Sequence, residues 1–168
     1  GKWAKDVIKI VVSKKTDEPG TGPAGDATAD TADLTITGDA LARDGYFTIK
    51  GIKNTDGINR VDATFSWQNS SGTTGESTVQ GATLENIFSY IGIAEGAEID
   101  TVEAVSNDGR STIYSADEIL TSDISGNKAM FIWKEDGGNV QKTIVGQFTE
   151  GDVNRGKWAK DVEKIIVN

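Results

Sequence analysis

Apolar residues recur at every second position in most of the apolar segments of this chain, the spacing of half-buried strands. Residues 34–38 (LTITG) and 46–52 (YFTIKGI) alternate and are rich in β-branched and aromatic side chains. Residues 54–59 form a turn centred on Asp56-Gly57. Residues 61–67 (VDATFSW) predict another strand, which runs into the polar loop QNSSGTTGES and a short strand, STVQG. Residues 101–106 and 111–115 pair around an Asn107-Asp108-Gly109 turn. AMFIWKE and VQKTIVGQF flank Asp136-Gly137-Gly138-Asn139, a hairpin signal, and DVEKIIV is the last strand. One segment changes period. In TLENIFSYIG, residues Leu84, Ile87, Phe88 and Ile91 keep the i, i+3, i+4, i+7 spacing of one helical face, with Thr83 as N-cap and Gly92 as C′ residue. Ser115 with Glu118 predicts a capping box for a short helix, ADEIL. The pattern predicts an α+β fold: a mixed or antiparallel β-sheet domain with one clear helix and one short helix.

The ends of the chain add a second kind of pattern. Residues 1–12 read GKWAKDVIKIVV and residues 156–167 read GKWAKDVEKIIV; only Ile8/Glu163 and Val11/Ile166 differ. A repeat one domain-length apart points to a tandem array. Residues 1–12 then read as the last strand of a preceding repeat, and 33–168 as the domain itself. Residues 13–32 hold both prolines among small polar residues and predict a linker about 60 Å long when stretched. Its carboxylates Asp26, Asp30 and Asp33 do not have the spacing of a calcium loop. Strict alternation puts Ile8, Ile10 and Val12 on one face of the first copy, and Glu163, Ile165 and Val167 on that of the second. The more apolar first copy is expected to be ordered over residues 5–12. It would add to a sheet edge or take a final-strand slot, more readily in a neighbouring chain, and so give self-association.

Composition narrows the chemistry. There is no cysteine and no histidine, which excludes disulfides, thiolate metal sites, cysteine nucleophiles and the commonest metal ligand. The net charge of −9 makes nucleic acid and anionic membranes poor partners. No apolar run approaches the roughly 18 residues that a membrane span needs. A serine nucleophile would need a base other than histidine, and neither S-x-x-K nor G-x-S-x-G is present. No P-loop or G-x-G-x-x-G occurs, and no pair of carboxylates stands out.

From Val61 onward the order of elements resembles the molybdopterin-binding domain of the sulfite oxidase family. The resemblance rests on ATFSWQN (63–69), VQGATLENIFSYIGI (79–93), VEAVSNDGRSTIY (102–114), AMFIWKE and the closing GQFTEGDVNRGKWAKDVEKIIV. It implies a sulfite-oxidase-like α+β domain. In that family a cysteine after the first of these strands gives its thiolate to molybdenum, and laying ATFSWQN on that motif puts Ser66 at the cysteine position. A serine hydroxyl is a poor replacement for a thiolate. Arg43, Arg60, Arg110 and Arg155 are scattered along the chain, where the family gathers basic residues for the pterin phosphate. No cofactor and no metal are therefore expected.

Trp67 stands apart from the other tryptophans, Trp3 and Trp158 in the repeat and Trp133 in an apolar strand. It lies at a strand end beside Gln68 and Asn69, so Trp67, Gln68 and Asn69 are the candidate ligand contacts, in a polar loop over residues 66–77. Asn69-Ser70-Ser71 is also a formal glycosylation sequon. The expected function is that of a non-catalytic repeat module of a secreted or cell-surface bacterial protein, structural or adhesive. Its partners would be other repeats and a carbohydrate or protein ligand. The alternative is a molybdopterin- or other cofactor-binding domain of a redox protein.

Overall fold

A computed structural model describes residues 22–123, 125–148 and 155–168. The expectation that residues 5–12 form a strand lies outside the described residues. The fold is α+β, with three α-helices and two sheets among the described residues. The first sheet has five strands in the order β2 (Gly45–Phe47), β1 (Leu34–Thr37), β9 (Val162–Val167), β5 (Thr101–Ser106) and β6 (Ser111–Ser115). Only the β1–β9 pair is parallel. The second sheet is antiparallel, in the order β3 (Val61–Gln68), β4 (Thr74–Thr83), β7 (Met130–Glu135) and β8 (Gly138–Val145). A bridge between Ile144 and Ala159 ties β8 to the chain that leads into β9. Between the sheets lies one apolar core that includes Leu34, Phe47, Phe65, Phe131 and Ile165, each at most 1% exposed.

The helices follow their sequence signals closely, with one addition. Helix α2 (Leu84–Ile91) buries Leu84, Ile87, Phe88 and Ile91, and the Thr83 hydroxyl accepts from the Asn86 amide. Gly92 ends it at φ 101°, a conformation that favours glycine. Helix α3 (Ala116–Leu120) has the full capping box of Ser115 and Glu118. Helix α1 (Ile49–Asn54) replaces the second half of the expected strand 46–52. Thr48 caps it, accepting from the Gly51 amide, and only Ile52 is buried. A threonine cap with one buried residue in six leaves a weak helical period, and the same letters also alternate.

Three more expectations change. Strand β4 begins at Thr74, well inside the segment read as a loop, so the hairpin loop is only residues 69–73. Residues 22–32 of the expected linker pack on the domain. Ala24 is buried and bridges Gly45, Asp26 accepts from the Thr48 amide and hydroxyl, and Asp33 accepts from the Ile49 amide. Asp26 of the expected linker and Asp33 at the start of the domain thus serve the start of α1, where the exposed amides and the helix dipole favour negative charge. Finally, β9 does not alternate strictly. Its register against β5 shifts between Val105 and Ser106, so Val162, Ile165 and Val167 are buried while Glu163 and Lys164 are exposed. A bulge adds one residue to the count and turns Glu163 off the core face.

Candidate functional site

Successive residues on β3 point to opposite sides of the sheet, and this separates the predicted site residues. Trp67 turns inward toward Arg155. Its indole Nε1 donates to Ser77 Oγ at 3.1 Å, and Ser77 Oγ donates to Glu135 Oε2 at 2.9 Å. Arg155 donates to the same Ser77 oxygen at 3.3 Å and to Glu135 Oε2 at 3.0 Å. Ser77 is 1% exposed, and one donor hydrogen and two lone pairs are all its hydroxyl has to offer. The Arg155 guanidinium sits 4.3 Å from the Trp67 ring centroid and 4.8 Å from that of Trp158. The Trp67 ring also lies against Gly75, where a Cβ would come within 2.5 Å of it. The face and the polar tip of Trp67 are thus spent inside the protein.

Asn69 holds the hairpin. Its Oδ1 accepts from the amides of Ser71 and Thr73, each at 3.0 Å, and from the Ser71 hydroxyl at 2.7 Å. Gln68 stands at the end of β3, opposite Thr74 and half-buried. The candidates Ser66, Trp67, Gln68 and Asn69 are therefore not brought together around one ligand.

Ser66 goes elsewhere. With Thr64 it lines a cleft of about 880 Å³ between β3, helix α3 and its following loop, and the end of β8. Asp117 and Glu118 enter from the first turn of α3, Ser122 and Asp123 from the loop, and the buried Phe148 completes the lining after β8. The walls are braced. Glu118 accepts from the Ser115 amide with one oxygen and from Lys157 Nζ at 2.6 Å with the other. Asp123 Oδ1 accepts from the amides of Ser125 and Asn127, each at 2.8 Å, which shapes the loop. Asn127 Nδ2 then donates to the Thr64 carbonyl at 3.0 Å and fastens the loop to the open edge of β3. Phe148 packs against Tyr114 with centroids 4.5 Å apart and the rings tilted by 40°, and the buried Tyr114 hydroxyl donates to the Lys157 carbonyl at 2.7 Å.

The cleft thus presents hydroxyls, carboxylates and amides. It does not fit the cofactor that the family resemblance implies. Ser66 offers no thiolate, and Asp117, Glu118 and Asp123 would face a phosphate with like charge. Lys157 is paired with Glu118, and Lys128, between the lining residues Asn127 and Ala129, with Glu85. Among the described residues no group of three or more acidic side chains stands close enough to hold a metal ion. Among them, too, no helix is long and apolar enough to cross a membrane.

Sequence reasoning missed most of this cleft. Its lining comes from three separate stretches, and the polar run 121–127 carries only a loop signal. Asp123 and Asn127, the residues that shape and anchor that loop, were the signal available. A comparison of the chain with protein-family models and with curated proteins returns no match.

Proposed function

We propose that this chain is a non-catalytic repeat module of a secreted or cell-surface bacterial protein, and that it binds a neutral carbohydrate in the cleft between β3, α3 and β8. The repeat supports the first part. The repeated residues 156–167 supply the strand that lies between β1 and β5 in the first sheet and the bridge that joins it to the second. A sequence that recurs is here the one that completes the domain, as expected of a unit built to be copied.

The ligand reading rests on the cleft's lining. A volume of about 880 Å³ is that of a small-molecule site. Carboxylates accept from vicinal hydroxyls, and side-chain amides both accept from and donate to them. Three carboxylates on the walls, within a chain of net charge −9, disfavour anionic ligands.

A glycan array tests the reading. The full chain should retain neutral oligosaccharides, and Ser122→Trp, which fills the cleft from an exposed loop position, should lose at least tenfold in retention. Failure of the wild-type chain to retain any neutral glycan, or equal retention by both proteins, would remove the cleft from this role.

A further inference from the structure

The outer strands of a β-sheet carry unpaired amides and carbonyls, and soluble proteins cover them or charge them. Here the outer strands are β2 and β6 in the first sheet and β3 and β8 in the second. The chain covers three of them itself. Ala24 bridges Gly45 of β2, Ala159 bridges Ile144 of β8, and Asn127 Nδ2 donates to the Thr64 carbonyl of β3. Strand β6 is the exception. It pairs with β5, and no other described segment pairs with it. Charge does not guard it either. Residues 111–115 read STIYS, and Ile113 is 58% exposed, the most of any large apolar side chain among the described residues.

The hydrogen bonds to β5 settle which backbone groups face outward. The Arg110 carbonyl accepts from the Ser106 amide, and the Ala116 amide donates to the Asp100 carbonyl. Alternation then turns the groups of Thr112 and Tyr114 toward β5, and those of Ser111, Ile113 and Ser115 away from it. The Ser115 amide is already taken, donating to Glu118 Oε1 at 2.9 Å in the capping box. Ser111 and Ile113 remain, each with an outward N–H and an outward C=O.

A second copy of β6 meets these two residues by symmetry. Set antiparallel about a two-fold axis at Thr112, it places Ser111 of one copy opposite Ile113 of the other, and each such pair can exchange both bonds. The two Ile113 side chains then lie on one face as diagonal neighbours, within reach of each other. Charge agrees with this direction. Antiparallel pairing brings the Arg110 end of one strand to the Asp117 end of the other. Arg110 is 78% exposed, and its ion pair is with Asp108, itself 51% exposed. Elsewhere the net charge of −9 sets copy against copy.

We propose that β6 is a self-pairing edge, at which two copies of this domain join their first sheets into one. The contact is small, so free chains pair weakly, and copies tethered in one array meet at a higher effective concentration. The inference is independent of any ligand in the cleft.

Sedimentation velocity of the full chain from about 10 μM to 1 mM should show a monomer passing into a dimer. Over the same range the Ser111 and Ile113 amides should slow in hydrogen exchange by about tenfold. Ile113→Lys, at an exposed position, should raise the dissociation constant at least tenfold with unchanged Tm. Arg110→Glu and Asp117→Arg should each weaken the dimer, and mixing the two variants should restore it, because both ends of the mixed pair then carry opposite charges. A wild-type chain that stays monomeric at 1 mM, an Ile113→Lys dimer as tight as wild type, or a mixture no tighter than its parts would overturn the proposal.

Discussion

Replacing Arg155 by alanine removes the centre of the contacts around Trp67. The guanidinium spans two tryptophan rings at 4.3 and 4.8 Å and pairs with Glu135 at 3.0 Å, with the two charged side chains 25% and 15% exposed. Each partly desolvated cation–π contact is worth about 0.5–1 kcal/mol. Loss of a hydrogen bond to a mostly buried carboxylate costs about 1.5–3 kcal/mol, because Glu135 keeps only the Ser77 hydroxyl. Arg155→Ala should therefore destabilise the protein by about 2.5–5 kcal/mol, or roughly 5–20 °C in Tm for a chain of this size. Arg155→Lys keeps the charge but not the planar fork, so it should fall between the two. Urea denaturation followed by tryptophan fluorescence gives both values, and a double-mutant cycle with Glu135→Gln isolates the ion pair. A loss below about 0.5 kcal/mol for Arg155→Ala, at unchanged m-value, would refute the reasoning and return Trp67 to the candidate ligand contacts.

Two further predictions follow from hydrogen bonds. Tyr114→Phe leaves the Lys157 carbonyl without this donor in the core and should cost about 1–3 kcal/mol by the same denaturation assay. Burial holds the Tyr114 phenol well above its ordinary value, so the stability tied to its neutral form is full below about pH 10 and falls as pH rises beyond it. Absorbance titration should show Tyr114 ionising only with alkaline unfolding, and Tyr114→Phe should lose that component. The Thr48 hydroxyl and amide hold the Asp26 carboxyl below its ordinary value. Its contribution is present above about pH 4 and lost as pH falls through the lowered value, so Asp26→Asn should flatten the acid limb of a stability–pH profile from about pH 5 downward.

The elements with a strong local signal were legible in the sequence. The apolar face and Thr83 cap of α2, the Ser115–Glu118 capping box and the Asp136-Gly137 turn, both of whose residues take positive φ, all read directly from residue spacing. What escaped was set by tertiary contact. Helix α1 is supported at its start by Asp26 and Asp33, which satisfy Thr48 and Ile49 from positions 22 and 16 residues earlier in the chain. The bulge in β9 follows from its pairing with β5, which no pattern within one strand reveals. Trp67 looked like a ligand contact because an aromatic beside two amides at a strand end suits one. Its partners Ser77, Glu135 and Arg155 come from distant parts of the chain. The cleft is assembled in the same way, with Asn127 on one stretch and Thr64 on another.

The most direct test of the central claim is an amide-shift titration of the full ¹⁵N-labelled chain with the neutral oligosaccharide best retained on the array. The account predicts shifts at Thr64, Ser66, Asp117 to Asn127 and Gln147, which surround the cleft. Shifts confined to the hairpin residues Trp67 to Thr73, or no shifts at saturating sugar, would contradict it.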